Sequence, residues 1–216
     1  MTASLVRTRL DVGRLIMVPA FAAVLVADAV SLDRGAHAGA VGVLWSVGTV
    51  LVLAFYALAI WCYLLRGPAV ATSGSVTAHA AAFAGTWLPV ALPLLHAAPP
   101  APLRLALAEV LVICGMGWAV WSLRYLNSSV SVLAQARMVV VQGPYRWVRH
   151  PVYLGQLVSC LGLAIALNSV LALALWVALC GLQAYRAARE EQVLLEALPA
   201  YRGYRSRTAA LLPGVF

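Results

Sequence analysis

The sequence AVGVLWSVGTVLVLAFYALAIWCYLL, residues 40–65, carries no charged side chain along its whole length. A bilayer core about 30 Å thick needs roughly 20 consecutive apolar residues in a helix, so this segment is long enough to cross a membrane. Further apolar segments occupy residues 13–31, 78–97, 103–125, 152–167 and 169–185. The pattern predicts an all-α, polytopic integral membrane helical bundle, with a single membrane domain over residues 1–216.

Composition supports a chain that is solvated mainly by lipid. Of the 216 residues, 63% are hydrophobic and 10% are charged, which is too few for the surface of a soluble domain. The first four segments are long enough to cross the bilayer alone, whereas the last two are shorter. These two meet at Asn168 and Ser169, residues that favour turns over helix interiors. We therefore predict a C-terminal helical hairpin and leave open whether it crosses the bilayer completely.

The net charge of +8 comes from fifteen arginines, no lysine and seven acidic residues. The arginines lie at the ends of apolar segments, which disfavours nucleic-acid binding and favours contact with anionic membrane lipids. With a cytoplasmic N-terminus, only Arg34 and Arg104 fall outside, which is the positive-inside pattern. We therefore predict cytoplasmic termini and a cytoplasmic site. The exclusive use of arginine, with abundant Ala, Val and Leu, favours a bacterial inner membrane.

Polar and sulfur-bearing residues inside the apolar segments give little indication of function. The four cysteines lie in separate segments without CxxC spacing, so we interpret them as buried apolar residues and predict no metal site. Asp28 and Glu109 are candidates because ionisable residues are rare in membranes. Glu109 also follows Arg104 near one helix end, where pairing or snorkelling is the simpler interpretation. Their role stays open.

The segment GPYRWVRHPVYLGQ, residues 143–156, precedes the hairpin. Gly143 and Pro144 end any preceding helix, and Pro151 suits the first turn of the next one. Arg149 and His150 then lie at a helix start, where free N–H groups favour an anion such as a carboxylate. Tyr, Trp and Arg are also typical of the headgroup level, so anchoring at the interface is the alternative interpretation.

A second polar cluster, RAAREE at residues 186–191, follows the hairpin. If the last helix continues past Tyr185, Arg186 and Glu190 share one helical face, one turn apart. A solvated helix end with an Arg–Glu pair is the alternative. Because the loop before a hairpin and the tail after it emerge on the same side, we predict that the two clusters meet there.

The ordered series GPYRWVRHPVY, apolar hairpin, RxxxEE, YRGY and LLPGVF resembles the isoprenylcysteine carboxyl methyltransferase family. Its broader relatives include the membrane phospholipid N-methyltransferases. The resemblance covers residues 123–216, which it marks as a catalytic region that follows N-terminal transmembrane helices in residues 1–122.

The resemblance implies an enzyme that transfers a methyl group from S-adenosylmethionine to a lipophilic acceptor from the bilayer, with S-adenosylhomocysteine as product. Carboxyl O-methylation is the first hypothesis, and N- or S-methylation of a phospholipid or small molecule is the alternative. A small transporter or a structural membrane subunit is the alternative from another class. The oligomeric state stays undetermined.

The resemblance also assigns residues to a cytoplasmic cofactor pocket. It implies that Arg186 and Glu190 are catalytic and that Arg186 binds the substrate. It implies cofactor contacts at Arg137, Met138, Val139, Val140, Tyr145, Arg149, His150, Pro151, Val152, Tyr153, Glu190 and Glu191. The chain departs from the family at Arg137, where histidine is usual, and at Leu198 and Pro199, where Phe-Gly is usual. We therefore expect the tail to close over the cofactor differently.

Overall fold

The computed structural model describes residues 12–34, 39–67, 69, 71–95, 100–126, 129, 132, 135–136 and 138–212. Within these residues the chain forms six principal helices: α1 (Val12–Arg34), α2 (Gly39–Leu65), α3 (Val76–Ala91), α4 (Pro102–Leu126), α5 (Pro151–Leu167) and α6 (Val170–Ala197). A short helix, α7 (Tyr201–Arg205), follows, and two-residue strands β1 (Ala71–Thr72) and β2 (Gln135–Ala136) pair antiparallel. Tight 3-10 turns occupy Leu92–Leu94 and Gly143–Arg146.

Among the described residues, four helices are long and apolar enough to span a membrane: Gly13–Val30 within α1, and the whole of α2, α4 and α6. Helix α5 is apolar but shorter. These helices confirm the predicted helical membrane bundle. A helix suits a lipid-exposed segment because it satisfies the backbone hydrogen bonds within the segment.

The predicted lengths of two segments are wrong. Helix α3 has 16 residues and passes into the 3-10 turn that contains Pro93. Helix α6 has 28 residues and continues through RAAREE, since Ala, Arg, Glu and Gln are good helix formers. The last helix is therefore a full-length candidate span, and the third is not.

The hairpin turn follows from its two polar residues, and the predicted hairpin is confirmed. Asn168 ends α5 in the left-handed conformation, with φ 47°. Ser169 caps α6, and its side chain accepts a hydrogen bond from the backbone N–H of Ala172. Pro151 is the first residue of α5, where its missing N–H removes no helical hydrogen bond.

The helices contact one another in an arc of the order α1, α2, α4, α5, α6 and α3. Helices α4 and α5 approach most closely, because Gly115 and Gly155 face each other: a Cβ built on Gly115 would lie 2.5 Å from the Gly155 carbonyl oxygen. Small residues allow such close backbone contact in membranes. We call the end of the arc where α5 begins and α6 ends the site end.

Candidate active site

A cavity of about 200 Å³ opens at the site end, inside the arc of helices. Its wall includes most of the predicted site residues: Met138, Val139, Val140, Tyr145, Arg149, His150, Val152, Tyr153, Arg186 and Glu190. Pro151 and Glu191 are buried but do not line it. Arg137 lies outside the described residues. The loop before the hairpin and the end of α6 therefore meet, as the order of the two motifs predicts.

His150 lies between the two glutamates of α6. It is the N-cap of α5, and its ring stacks on Tyr153 with centroids 5.5 Å apart and an angle of 7° between the planes. His150 Nε2 is 3.1 Å from Glu191 Oε1, and His150 Nδ1 is 3.9 Å from Glu190 Oε2. The Pro151 ring restricts the backbone conformation at the start of α5. His150 is thus held by both neighbouring elements.

Glu191 is the buried centre of a charged cluster behind the cavity. It accepts hydrogen bonds from Arg149 Nε at 2.7 Å and from Arg205 Nε at 3.0 Å, in addition to its contact with His150. Arg149 also donates to the backbone carbonyls of Arg205 and Thr208. A buried carboxylate needs such partners to offset its lost hydration. The cluster therefore joins the start of α5, the end of α6 and the tail.

The tail folds back over the cavity as α7 and the segment after it. Tyr201 and Tyr204 line the cavity, and the Tyr204 hydroxyl donates to the Tyr145 carbonyl oxygen at 2.5 Å. The backbone N–H groups of Arg149 and His150 donate to the carbonyls of Ala209 and Ala210. The tail thus closes over the cavity although Leu198 and Pro199 replace the expected Phe-Gly pair.

Burial keeps the tyrosines of this closure protonated. Loss of hydration raises the pKa of Tyr204 to about 12, and the negative charge of Glu191 adds to the increase, while Arg149 opposes it. Burial also raises the pKa of Tyr145 and of Tyr201 above the usual range. At neutral pH all three phenols are therefore hydrogen-bond donors.

Arg186 and Glu190 both line the cavity, on the same face of α6, which does continue past Tyr185. Glu190 accepts a hydrogen bond from the Tyr153 hydroxyl. The Arg186 guanidinium lies over the Tyr153 ring, 4.7 Å from its centroid, and donates to Gln183 Oε1 at 2.9 Å and to the Val132 carbonyl at 3.1 Å. The Tyr153 side chain therefore separates a carboxylate from a guanidinium.

Arg186 has no direct ion pair with any carboxylate in the described part of the chain. It is 5% exposed, and none of the ion pairs formed by described carboxylates includes it. Its Nε is buried without a hydrogen-bond partner among the described residues. A buried guanidinium without a carboxylate at ion-pair distance carries an uncompensated desolvation cost. Arg186 therefore favours an anion in the cavity.

The same cavity continues into an apolar arm between the helices. The term apolar arm refers to the part of the cavity that is lined by residues of α1, α2, α4 and α5: Phe21, Phe55, Tyr56, Ala59, Met116 and Cys160. The Tyr56 ring lies 5.8 Å from Phe21 and 5.6 Å from Phe55, centroid to centroid. The cavity therefore joins a charged end to a surface that suits an apolar chain.

Sequence reasoning missed several residues in and behind the cavity wall. Gln156 ends the first motif but received no role, and Gln183 was not singled out. Gln183 is fully buried, three residues before Arg186, and that helical spacing in an otherwise apolar segment is the signal that points to it. The apolar arm has no comparable signal, because its residues look like ordinary membrane-helix residues.

The remaining polar candidates lie elsewhere. Glu109 is 8% exposed and packs against Gly48 of α2, and neither Glu109 nor Asp28 is among the residues that line the cavity. The four cysteines are free thiols, and of these only Cys160 lines the cavity. No group of His, Cys, Asp and Glu with the arrangement of a metal site occurs in the described part of the chain.

Comparison with known proteins covers part of the chain that lines this cavity. The family model of the phospholipid methyltransferases matches residues 103–199, which include α4, α5, α6 and the segment before the hairpin. No curated protein matches the chain. The match indicates a membrane methyltransferase. Residues 103–199 are thus similar to the phospholipid methyltransferases, a family that includes the isoprenylcysteine carboxyl methyltransferases.

Proposed function

We propose that the protein is an S-adenosylmethionine-dependent methyltransferase of a lipophilic acceptor, most like an isoprenylcysteine carboxyl O-methyltransferase. The observation that carries this proposal is that one cavity joins Glu190, His150 and Arg186 to the apolar arm. The matched family supports methyl transfer, and the arm supports an apolar substrate.

The chemistry of the cavity wall fits S-adenosylmethionine. Glu190 provides a carboxylate that accepts from ribose hydroxyls, as the resemblance also implies. His150 and Tyr153 present aromatic surface, which suits a sulfonium. Met138, Val139, Val140 and Tyr145 provide apolar surface for the adenine ring. When bound, this cofactor supplies an electrophilic methyl group.

Arg186 supports a carboxylate as the methyl acceptor. A carboxylate is ionised and nucleophilic at neutral pH, so it needs no general base. Arg186 would bind one carboxylate oxygen and leave the other directed at the methyl group. The bound cofactor would supply the methyl group to that oxygen, and the transfer would neutralise both the carboxylate and the sulfonium. Orientation and exclusion of water by the tail and Tyr153 supply the acceleration.

The name of the matched family favours a second candidate, N-methylation of a phospholipid amine. An ammonium headgroup would face the unpaired Arg186 charge, which is repulsive at short range in a medium of low dielectric constant. We therefore rank the carboxylate first. A transporter or structural subunit remains the alternative if no cofactor binds.

We also propose that the site end faces the cytoplasm of a bacterial inner membrane, with both termini on that side. The proposal rests on the concentration of arginines at this end, with Arg34 and Arg104 at the other ends of α1 and α4. A reporter that is active only in the cytoplasm, fused after Phe216, tests it: activity is expected, and silence with a periplasmic reporter active would contradict it.

Calorimetric binding of S-adenosylhomocysteine to the purified protein tests the proposed function. We expect micromolar binding by the wild type and its loss in His150→Ala and Glu190→Ala. Glu196→Ala is the matched control, because Glu196 lies on the same helix but is exposed and does not line the cavity. It should bind as the wild type does. Absence of binding by the folded wild type, in detergent and in lipid nanodiscs, would refute the proposal.

A further inference from the structure

Three polar side chains form a connected row beside the apolar arm, which we call the polar relay: Gln156 on α5, and Gln183 and Arg186 on α6. Gln183 Oε1 accepts from Arg186 Nη1 at 2.9 Å, and Gln183 Nε2 donates to Gln156 Oε1 at 3.2 Å. Gln183 is 0% exposed. Its amide therefore fixes both of its neighbours, because a buried amide is stable only when its donor and acceptor are both used.

The relay leaves N–H groups for the cavity. Gln156 and Arg186 line the cavity, whereas Gln183 lies behind them. The oxygen of Gln156 is used by Gln183, so its NH₂ group is the part left for a ligand. Arg186 Nη1 and Nη2 each donate one N–H group, to Gln183 and to Val132, and each keeps a second one. The relay thus offers two donor groups and one positive charge.

The acceptor oxygens of the relay are already engaged within it. The oxygens of Gln156 and Gln183 both accept hydrogen bonds within the relay. The hydroxyl of Tyr153, which packs on Arg186, donates to Glu190. An ammonium group beside Arg186 would meet donors and a like charge, whereas a carboxylate has the acceptors that both donor groups require.

We propose that Gln156 and Arg186 together bind the carboxylate of the methyl acceptor, and that Gln183 is the positioning residue that holds them. The relay then selects an anionic lipophilic acceptor over an amine. This inference rests on the proposed function, because it takes the apolar arm as the place of the acceptor chain. It adds to that function a specificity-determining residue, Gln156, and the source of its orientation.

If the polar relay only joins α5 to α6 and does not contact the acceptor, its variants should change ligand binding in a different way. Loss of a structural contact would weaken binding of every ligand to a similar extent. Loss of acceptor recognition changes the ratio of the affinities for charged and uncharged acceptors and leaves the cofactor site intact. The ratio is therefore the quantity to measure.

The experiment uses the full chain in nanodiscs saturated with S-adenosylhomocysteine. Binding is measured for dodecanoate, its methyl ester and dodecylamine, and for N-acetyl-S-farnesylcysteine and its methyl ester. We expect the wild type to bind each carboxylate at least about tenfold more tightly than its uncharged or cationic counterpart, as hydrogen bonds to a charged group predict.

Four variants separate the contributions. Gln156→Leu should weaken carboxylate binding about tenfold and leave ester binding unchanged. Gln156→Glu has the same shape and should reverse the preference towards dodecylamine. Gln183→Glu places a carboxylate against Arg186 and should also abolish the preference for anions, whereas Gln183→Leu should weaken carboxylate binding alone. Unchanged affinity for S-adenosylhomocysteine in all four variants shows that each is folded.

The outcomes distinguish the two levels of the proposal. If the wild type binds S-adenosylhomocysteine but shows no preference for the carboxylates, or if both Gln156 variants keep it, the inference is overturned and the proposed function stands. Equal weakening of all ligands, cofactor product included, overturns it in favour of a structural relay. Failure of the wild type to bind S-adenosylhomocysteine refutes the proposed function itself, in a measurement made before any acceptor is added.

Discussion

Arg149 Nε lies 2.7 Å from Glu191 Oε1, and this ion pair joins the start of α5 to the end of α6 behind the cavity. The two side chains are 8% and 7% exposed. Because Arg149 also donates to two carbonyls of the tail, one guanidinium connects three segments that are distant in sequence. The arrangement makes the integrity of the cavity depend on this pair.

Replacing Arg149 by Leu should lower the free energy of unfolding by about 3 kcal/mol, because it leaves Glu191 as a buried charge with fewer partners. Arg205→Leu is the matched control: Arg205 contacts the same carboxylate, but its side chain is 50% exposed, so its loss should cost under about 1 kcal/mol. Thermal unfolding of the purified variants measures both. Equal losses would contradict the central role of Arg149.

The Tyr153 hydroxyl should be a determinant of cofactor affinity. Tyr153→Phe keeps the ring that stacks on His150 and Arg186 but removes the hydrogen bond to Glu190. With Glu190 no longer oriented, we expect the affinity for S-adenosylhomocysteine to fall about tenfold, as loss of one hydrogen bond to a charged group predicts. Tyr185→Phe removes an exposed hydroxyl contact to Thr77 and should leave affinity unchanged. Equal calorimetric affinities for both variants would argue against this role.

The closure of the tail should depend on a protonated Tyr204. The pKa of Tyr204 is raised to about 12 in the folded state, above the unfolded value near 10. The stabilisation from its protonated form is therefore complete below about pH 10 and is lost as the pH rises through about 12. Tyr204→Phe should be less stable by about 1 kcal/mol at neutral pH, and the difference should shrink above pH 10. Unfolding temperatures of both proteins from pH 7 to 12 provide the test, and a difference that does not vary with pH would oppose it.

Close packing of α4 and α5 should not tolerate even a methyl group at Gly155. A Cβ there would lie 2.6 Å from the Gly115 carbonyl oxygen and 2.8 Å from the Ala119 nitrogen, so the backbone must move. We expect Gly155→Ala to destabilise the protein by about 2 kcal/mol and to weaken S-adenosylhomocysteine binding, since α5 carries His150 and Tyr153. Gly181→Ala in α6 has no atom within 4 Å of its new Cβ and should be neutral or slightly stabilising. Similar unfolding temperatures for the two variants would refute the packing argument.

The sequence by itself determined the helical membrane bundle, the hairpin and the two polar motifs that flank it, but not the lengths of α3 and α6. These features depend on local physical chemistry. An apolar run as long as residues 40–65 has no stable alternative to a helix in lipid, Pro151 suits the first turn of a helix, and Asn168 accepts the left-handed conformation of the turn. The order of motifs around the hairpin also determined that the two clusters lie on one side of the molecule.

Tertiary structure decided which groups meet and which stay unpaired. The pairing of Arg149 with Glu191, the orientation of Gln156 by Gln183 and the approach of α1 and α2 to the cavity all join residues distant in the chain, and no local pattern encodes such contacts. The free donor of Arg186 is likewise visible only after every neighbouring carboxylate has a position. An apolar side chain that faces lipid and one that lines the arm have the same local sequence preferences, so only packing distinguishes them.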